Sequence, residues 1–473
     1  MMLTIILLNI LLFNIGSSKV VINKYEDVKC VFDKTFVEEI KSYQDEVDRI
    51  FDFVLRGNFN GRAYNELSKF VDKFGARISG SEVLENSIDY MINITREENL
   101  NDIVTEDVEV PHWVRGQESV TMLTPRLKNI AVLALGYSIS TPLEGITAEV
   151  IVIRNFTELA SIDDSKVKGK IVLYDAVYTT YGATVVYRSQ GATKAATKGA
   201  VASLIKSIAP FSINSPHTGM QSYGENVTPI PTAAITLEDA DLIRRLYDRG
   251  EKVSLNVKLL NSLDTKKSRN TLIDLKGTKK PEKLVILSGH IDSWDVGQGA
   301  MDDGGGMMIS WAAPVILQRL NLIPKRTIRT IFWTAEELGL VGARAYEEKH
   351  RSESGDINFI MESDEGTFAP IGLEVSGSEE AKCIIAEILK LFSSINATKL
   401  TESDYPGSDI TEIVSKGVPG ASLLNANERY FWFHHSEGDT MNVLDSHELD
   451  LCTAFWTAVA YVIADITADI PRK

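Results

Sequence analysis

The sequence predicts an α/β protein: a mostly parallel mixed sheet with helices on both faces, interrupted by an inserted β-rich domain. Three observations predict it. From Ser268 onward, short apolar runs alternate with helical stretches, the rhythm of a parallel sheet covered on both sides. Between Leu127 and Leu263 the texture changes to short β-rich runs. At 473 residues the chain is too long for one small core, so two domains, or one with a large insertion, are expected.

In chain order, Leu3 to Phe13 is apolar apart from Thr4 and Asn9, and is followed by Gly16, Ser17, Ser18 and Lys19. The run is shorter than the ~20 residues a membrane span needs. It reads as a signal peptide over 1–18, with no membrane span after its removal. Residues 19–45 are mixed and charged and form a candidate pro-segment, whose removal would convert a zymogen. The catalytic domain is expected over 46–126 and 264–473, with the inserted domain over 127–263.

Tyr64 to Phe74 carries Leu67, Phe70, Val71 and Phe74 at helical spacing and ends in the turn 75–81. A helix is expected over Glu82–Glu98 and a strand over Asp102–Pro111. In the insertion, strands are expected over Ala148–Ile153 and Ile171–Tyr174. A small-residue helix over Gly191–Ala200 leads into the apolar run Val201–Ile205. Further on come strands Leu284–Leu287, Ile328–Trp333, Ile357–Met361 and Ala421–Leu424. Helices are expected over Gly304–Leu320, Glu379–Phe392 and Leu449–Ile466.

The formal net charge of −16 argues against nucleic acid as a partner, because phosphate binding needs a basic surface. Sequons at Asn93, Asn155, Asn226 and Asn396 fit a glycoprotein on the secretory route, with extracellular space, lysosome, ER and Golgi all compatible. Three cysteines are too few for a disulfide scaffold, and no C-x-x-C pair is present. Cys383 and Cys452 read as buried thiols, and Cys30 lies in the candidate pro-segment.

Metal-competent residues follow the apolar strands at their C-terminal ends: His290 and Asp292, then Glu336 and Glu337, then Asp364. Ligands of open α/β sheets bind there, so these groups should converge. An imidazole at His290 suits zinc, with Asp292 placed to orient it. Asp302 precedes Asp303-Gly304-Gly305-Gly306, and one carboxylate can bridge two metals ~3.5–4 Å apart. Glu336 and Glu337 are adjacent and cannot point the same way, so one can bind metal while the other faces water. A last ligand lies in His434-His435-Ser436, where either histidine could serve.

At these residues the chain resembles peptidase family M28, the cocatalytic two-zinc exopeptidases. The motifs are Gly289-His290-Ile291-Asp292-Ser293-Trp294-Asp295, Met301-Asp302-Asp303-Gly304-Gly305-Gly306, Trp333-Thr334-Ala335-Glu336-Glu337, Met361-Glu362-Ser363-Asp364 and Phe433-His434-His435-Ser436. The turn Phe74-Gly75-Ala76-Arg77 matches too, and the insertion resembles a protease-associated domain. The resemblance implies a zinc aminopeptidase-like fold with two Zn²⁺ per chain. His290 and Asp364 would hold one, Glu337 and a C-terminal histidine the other, and Asp302 would bridge them. Glu336 would be the general base. The family's His-Ser/Thr-x-x-Asp pattern fits His435 to Asp439, which selects His435. Many members carry a tyrosine before that ligand as donor to the oxyanion; here the position is His434, which is expected to supply that hydrogen bond.

The resemblance further implies a secreted, homodimeric carboxypeptidase or dipeptidase acting on small peptides, dipeptides first. A glutaminyl cyclase-like transferase would use a single zinc. A catalytically silent, receptor-like binding protein would have lost ligands that this chain keeps.

Overall fold

A computed structural model describes Cys30 and residues 32–473; the expected signal peptide lies outside the described residues. Two eight-stranded sheets organise the chain. The centre of the first is four parallel strands: β1 (Lys280–His290), β2 (Arg326–Trp333), β3 (Ile357–Glu362) and β4 (Gly420–Asn425), in spatial order β2-β1-β3-β4. Antiparallel strands flank them on both sides, so the sheet is mixed around a parallel core.

Both faces of this sheet are buried, which explains the near-continuous apolar runs. Val285 and Leu287 of β1 join one core, while Leu284 and Ile286 join the other. Helices α1 (Gly305–Arg319) and α2 (Ser446–Asp465) pack on the first face. Both are buried almost all round, as expected of helices trapped inside a layered core. Asp445 caps α2 by accepting from the N–H groups of His447 and Glu448.

The second sheet starts at strand Glu118–Thr124, ahead of the expected boundary at residue 127, because Val120 and Met122 pack inward against Leu255 and Val257. Four of its strands run parallel, and helices Val186–Thr197 and Leu237–Asp248 lie in the same segment. A long antiparallel ribbon, Ile103–Val114 on Ser262–Leu275, leads the chain out to this layer and back. Trp294, Val296 and Leu338 of the first layer sit in the core of the second.

Residues 34–42, inside the expected pro-segment, form a helix capped by Asp33. Ile40 is buried, and Tyr43 Oη donates to Asp465 at 2.8 Å. Cys383 is not a free thiol: it is bonded to Cys30, 353 residues away. Cys452 is the expected buried thiol and donates to the Phe368 carbonyl. The four sequon asparagines are exposed. Among the described residues, no helix is long and apolar enough to cross a membrane.

Candidate metal centre

The parallel register sets the strand ends level: His290 is paired with Trp333, and Ser288 with Glu362. Side chains just beyond these ends therefore meet at one rim. His290 Nε2 lies 3.1 Å from Asp364 Oδ1 and 3.2 Å from Asp302 Oδ1. On the other side, His435 Nε2 lies 3.1 Å from Glu337 Oε2 and 3.3 Å from Asp302 Oδ2. Asp302 thus faces two groups of donors, one with each oxygen. His434 Nε2 is 3.6 Å from Asp302 Oδ2, and its ring stacks on His435 with centroids 3.5 Å apart. His435 meets both Asp302 and Glu337, whereas His434 approaches only Asp302.

Asp292 places its Oδ1 3.7 Å from His290 Nδ1. Its main-chain carbonyl accepts from His290 Nδ1 at 3.0 Å, which leaves Nε2 facing the carboxylates. The carboxylate itself accepts the N–H groups of Glu336 and Glu337 at 3.0 and 3.3 Å, and so sets the turn that carries both glutamates. Ala335 takes φ +55° in that turn. Asp439 similarly accepts the N–H groups of Ala300, Met301 and Asp302.

Several supporting groups were given no role from the sequence, although Asp303, Glu362 and Arg77 lie within its motifs. Asp303 joins the N–H of His290 to that of Gly306. Ser408 Oγ lies 2.9 Å from both Glu362 Oε1 and Asp364 Oδ2. Arg77 is buried and donates to the carbonyls of Gly75, Ile291, Gln298 and Gly299, locking the approach to Asp302. Tyr181, Arg188 and Met220 come from the second layer, yet line the same cleft of about 410 Å³ as Asp302, Glu336, Glu337, Asp364, His434 and His435. The insertion shows no acid/base cluster in sequence, so this contribution could only be seen after folding.

The electrostatics are those of a site built for cations. Burial, together with the charges of Asp364, Asp292 and Asp302, pushes the Glu336 carboxyl well above the usual range. Burial and the charge of Asp302 do the same to Glu337. Burial holds His434 and His435 neutral, with lowered pKa values. Burial alone would lower His290, but Asp364 and Asp302 outweigh it and raise it. Asp302 Oδ2 and Glu337 Oε1 are buried without a hydrogen-bond partner. Such atoms are costly unless something fills the gap. One set of ligand atoms within 4.8 Å of one another comes from His290, Asp302 and Asp364, and another from Asp302, His434 and His435. Nitrogen and carboxylate donors of this kind suit zinc.

Residues 270–460 match the profile of peptidase family M28. The chain is 49% identical over 437 residues to carboxypeptidase Q of Xenopus laevis and 47% identical over 437 residues to carboxypeptidase Q of Homo sapiens, with 92% of both chains covered in each case. Among solved structures, it resembles a peptidase M28 precursor from Shewanella amazonensis, with a TM-score of 0.87 at 30% identity over 92% of this chain and 99% of that one. A zinc aminopeptidase of Bacillus subtilis shares the fold, with a TM-score of 0.66 at 20% identity over 87% of this chain and 98% of the other.

Proposed function

The chain belongs to peptidase family M28, and we propose that it is a zinc-dependent exopeptidase that hydrolyses dipeptides and small peptides, with Glu336 as general base. The observation that carries this reading is the placement of Asp302, whose two oxygens face separate donor groups. In this reading His290, Asp364 and Asp302 hold one zinc, while Asp302, Glu337 and His435 hold the second. Zinc bound here supplies Lewis-acid chemistry, acidifying water and polarising a carbonyl.

The chain's own residues do the rest. Glu336, partly exposed to the cleft, takes the proton of the attacking water and returns it to the leaving amine. Neutral His434 lines the cleft beside Asp302 and donates to the developing oxyanion. Asp292 and Asp439 keep the main chain of Glu336-Glu337 and Ala300–Asp302 in place. Arg188 is the one lysine or arginine among the cleft-lining residues, and its guanidinium donates to the Met220 and Thr218 carbonyls and to Tyr181 Oη.

Secretion behind the leader, use of the four sequons, an inserted protease-associated-like domain and a homodimer belong to the same proposal. Light scattering of the purified protein checks the last of these. The central test is dipeptide hydrolysis by protein of known zinc content, with and without chelator. Two zincs per chain, activity lost on chelation and restored by zinc, are expected. A single zinc would favour the cyclase-like reading, and folded protein with no zinc and no hydrolysis would overturn the enzyme reading.

A further inference from the structure

The second layer meets the metal centre at Tyr181, at Arg188 and at the loop His217–Met220, although it offers no ligand to it. His217 Nδ1 donates to the His434 carbonyl at 2.6 Å. The Thr218 N–H donates to the His435 carbonyl at 2.9 Å. In return, His435 Nδ1 lies 3.3 Å from the Thr218 carbonyl. The loop is itself fixed to its own sheet: the His217 N–H donates to Ser207 Oγ, Thr218 Oγ1 to the Ala134 carbonyl, and the Gly136 N–H to the Gly219 carbonyl. His217 and Thr218 are 2% and 1% exposed, so water does not compete for these bonds.

What the loop holds is an unfavourable conformation. His435 has φ +58°, which a residue with a Cβ avoids unless its surroundings impose it. The loop also selects a tautomer. Two groups approach His435 Nδ1: the Thr218 carbonyl, which can only accept, and Arg188 Nη1 at 3.4 Å, which can only donate. A proton on Nδ1 satisfies Thr218 and leaves the Nε2 lone pair facing Glu337 and Asp302, as metal binding requires. A bare Nδ1 would accept from Arg188 and put the proton on Nε2, which closes the site. Arg188 Nη1 instead has the Thr218 carbonyl as a partner, at 3.3 Å.

We propose that His217 and the main chain of Thr218 are positioning residues of the metal centre, a latch through which the second layer sets the zinc affinity of the Glu337–His435 side. The proposal rests on the reading of His435 as a ligand. On this view the layer is more than a wall of the cleft, because it makes one of its two metal positions competent.

The test strips zinc from the full-length protein and titrates it back against a chromogenic chelator, for wild type, His217→Phe and His217→Asn, beside the melting temperature of each stripped form. His217→Phe keeps a ring without the donor and is expected to weaken one zinc position about 10- to 100-fold, leaving the other unchanged. Asparagine carries an N–H at the place of Nδ1, and His217→Asn should recover most of that affinity. Unchanged zinc affinity in His217→Phe, whatever happens to its melting temperature, would overturn the latch. Amide exchange in wild type gives a reading without a variant. By reciprocity, the Thr218 N–H should lose protection when zinc is removed, and equal protection with and without zinc overturns the proposal. Wild-type protein that binds no zinc would sink the metallopeptidase reading itself, a distinct result.

Discussion

Glu336 and Glu337 are neighbours with different proposed tasks, and the turn between strand and helix explains how they diverge. Ala335 in a left-handed conformation turns the chain, and the Asp292 carboxylate accepts both following N–H groups. Glu337 then reaches His435, while Glu336 faces the cleft. Glu336→Gln keeps the shape but cannot take a proton, so kcat on a dipeptide should fall about 10²- to 10⁴-fold with zinc content unchanged. Loss of zinc in that variant would make Glu336 a ligand instead. Asp292→Ala should act differently, leaving two N–H groups unpaired and lowering zinc affinity about 10- to 100-fold in chelator competition. For His434→Phe, loss of the oxyanion donor should cost about 10²-fold in kcat; near-wild-type turnover would remove His434 from the mechanism.

The element that fixes the site is α1, with the glycines at its start. A Cβ on Gly306 would lie 1.9 Å from the Ser363 carbonyl and 2.4 Å from Asp303 Oδ1. The helix can enter this close to β3 only because that position has no side chain. Asp302 sits just ahead of that entry, and Asp364 directly follows Ser363. Gly306→Ala should therefore lower both the melting temperature and the zinc content, measured on the same preparation. A variant that melts lower yet keeps the wild-type zinc content would show that the close approach serves packing alone.

For the whole molecule, the concentration of buried carboxyls at one rim makes stability depend on pH. Burial raises Asp439 and Glu362 to about 7, with the charges of Asp302 and Asp364 adding to it. Asp292, Asp303, Glu336, Glu337 and Asp409 are raised too. In the unfolded chain such groups lose their protons near pH 4. Between there and about pH 7 the folded state holds more protons, so its stability falls as pH rises. Asp302 and buried His217, His434 and His435 are lowered and act in the opposite sense, but at this rim they are outnumbered. Zinc-stripped protein should thus melt at a lower temperature at pH 8 than at pH 5, and zinc should reduce that difference by compensating the carboxylates. A stripped protein whose melting temperature rises over this range would contradict it.

The sequence by itself determined the parallel core and most of the rim. Apolar runs such as Leu284–Leu287 and Ile328–Trp333 can satisfy their burial only inside a sheet covered on both faces, and the polar residues after them must then emerge at one edge. His290, Asp302, Asp364 and the pairs Glu336-Glu337 and His434-His435 were legible as metal-competent residues, but the choice of Glu337 and His435 within the pairs came only from the family resemblance. The partners of Asp292 were not legible, because a carboxylate two residues from a histidine carries no sign of which N–H it will accept. Nor was the bond between Cys30 and Cys383, which spans 353 residues with no local pattern. The roles of His217, Thr218 and Arg188 were decided by tertiary structure alone. Their segment carries no catalytic motif, and they meet the metal rim only because the second sheet folds against the first.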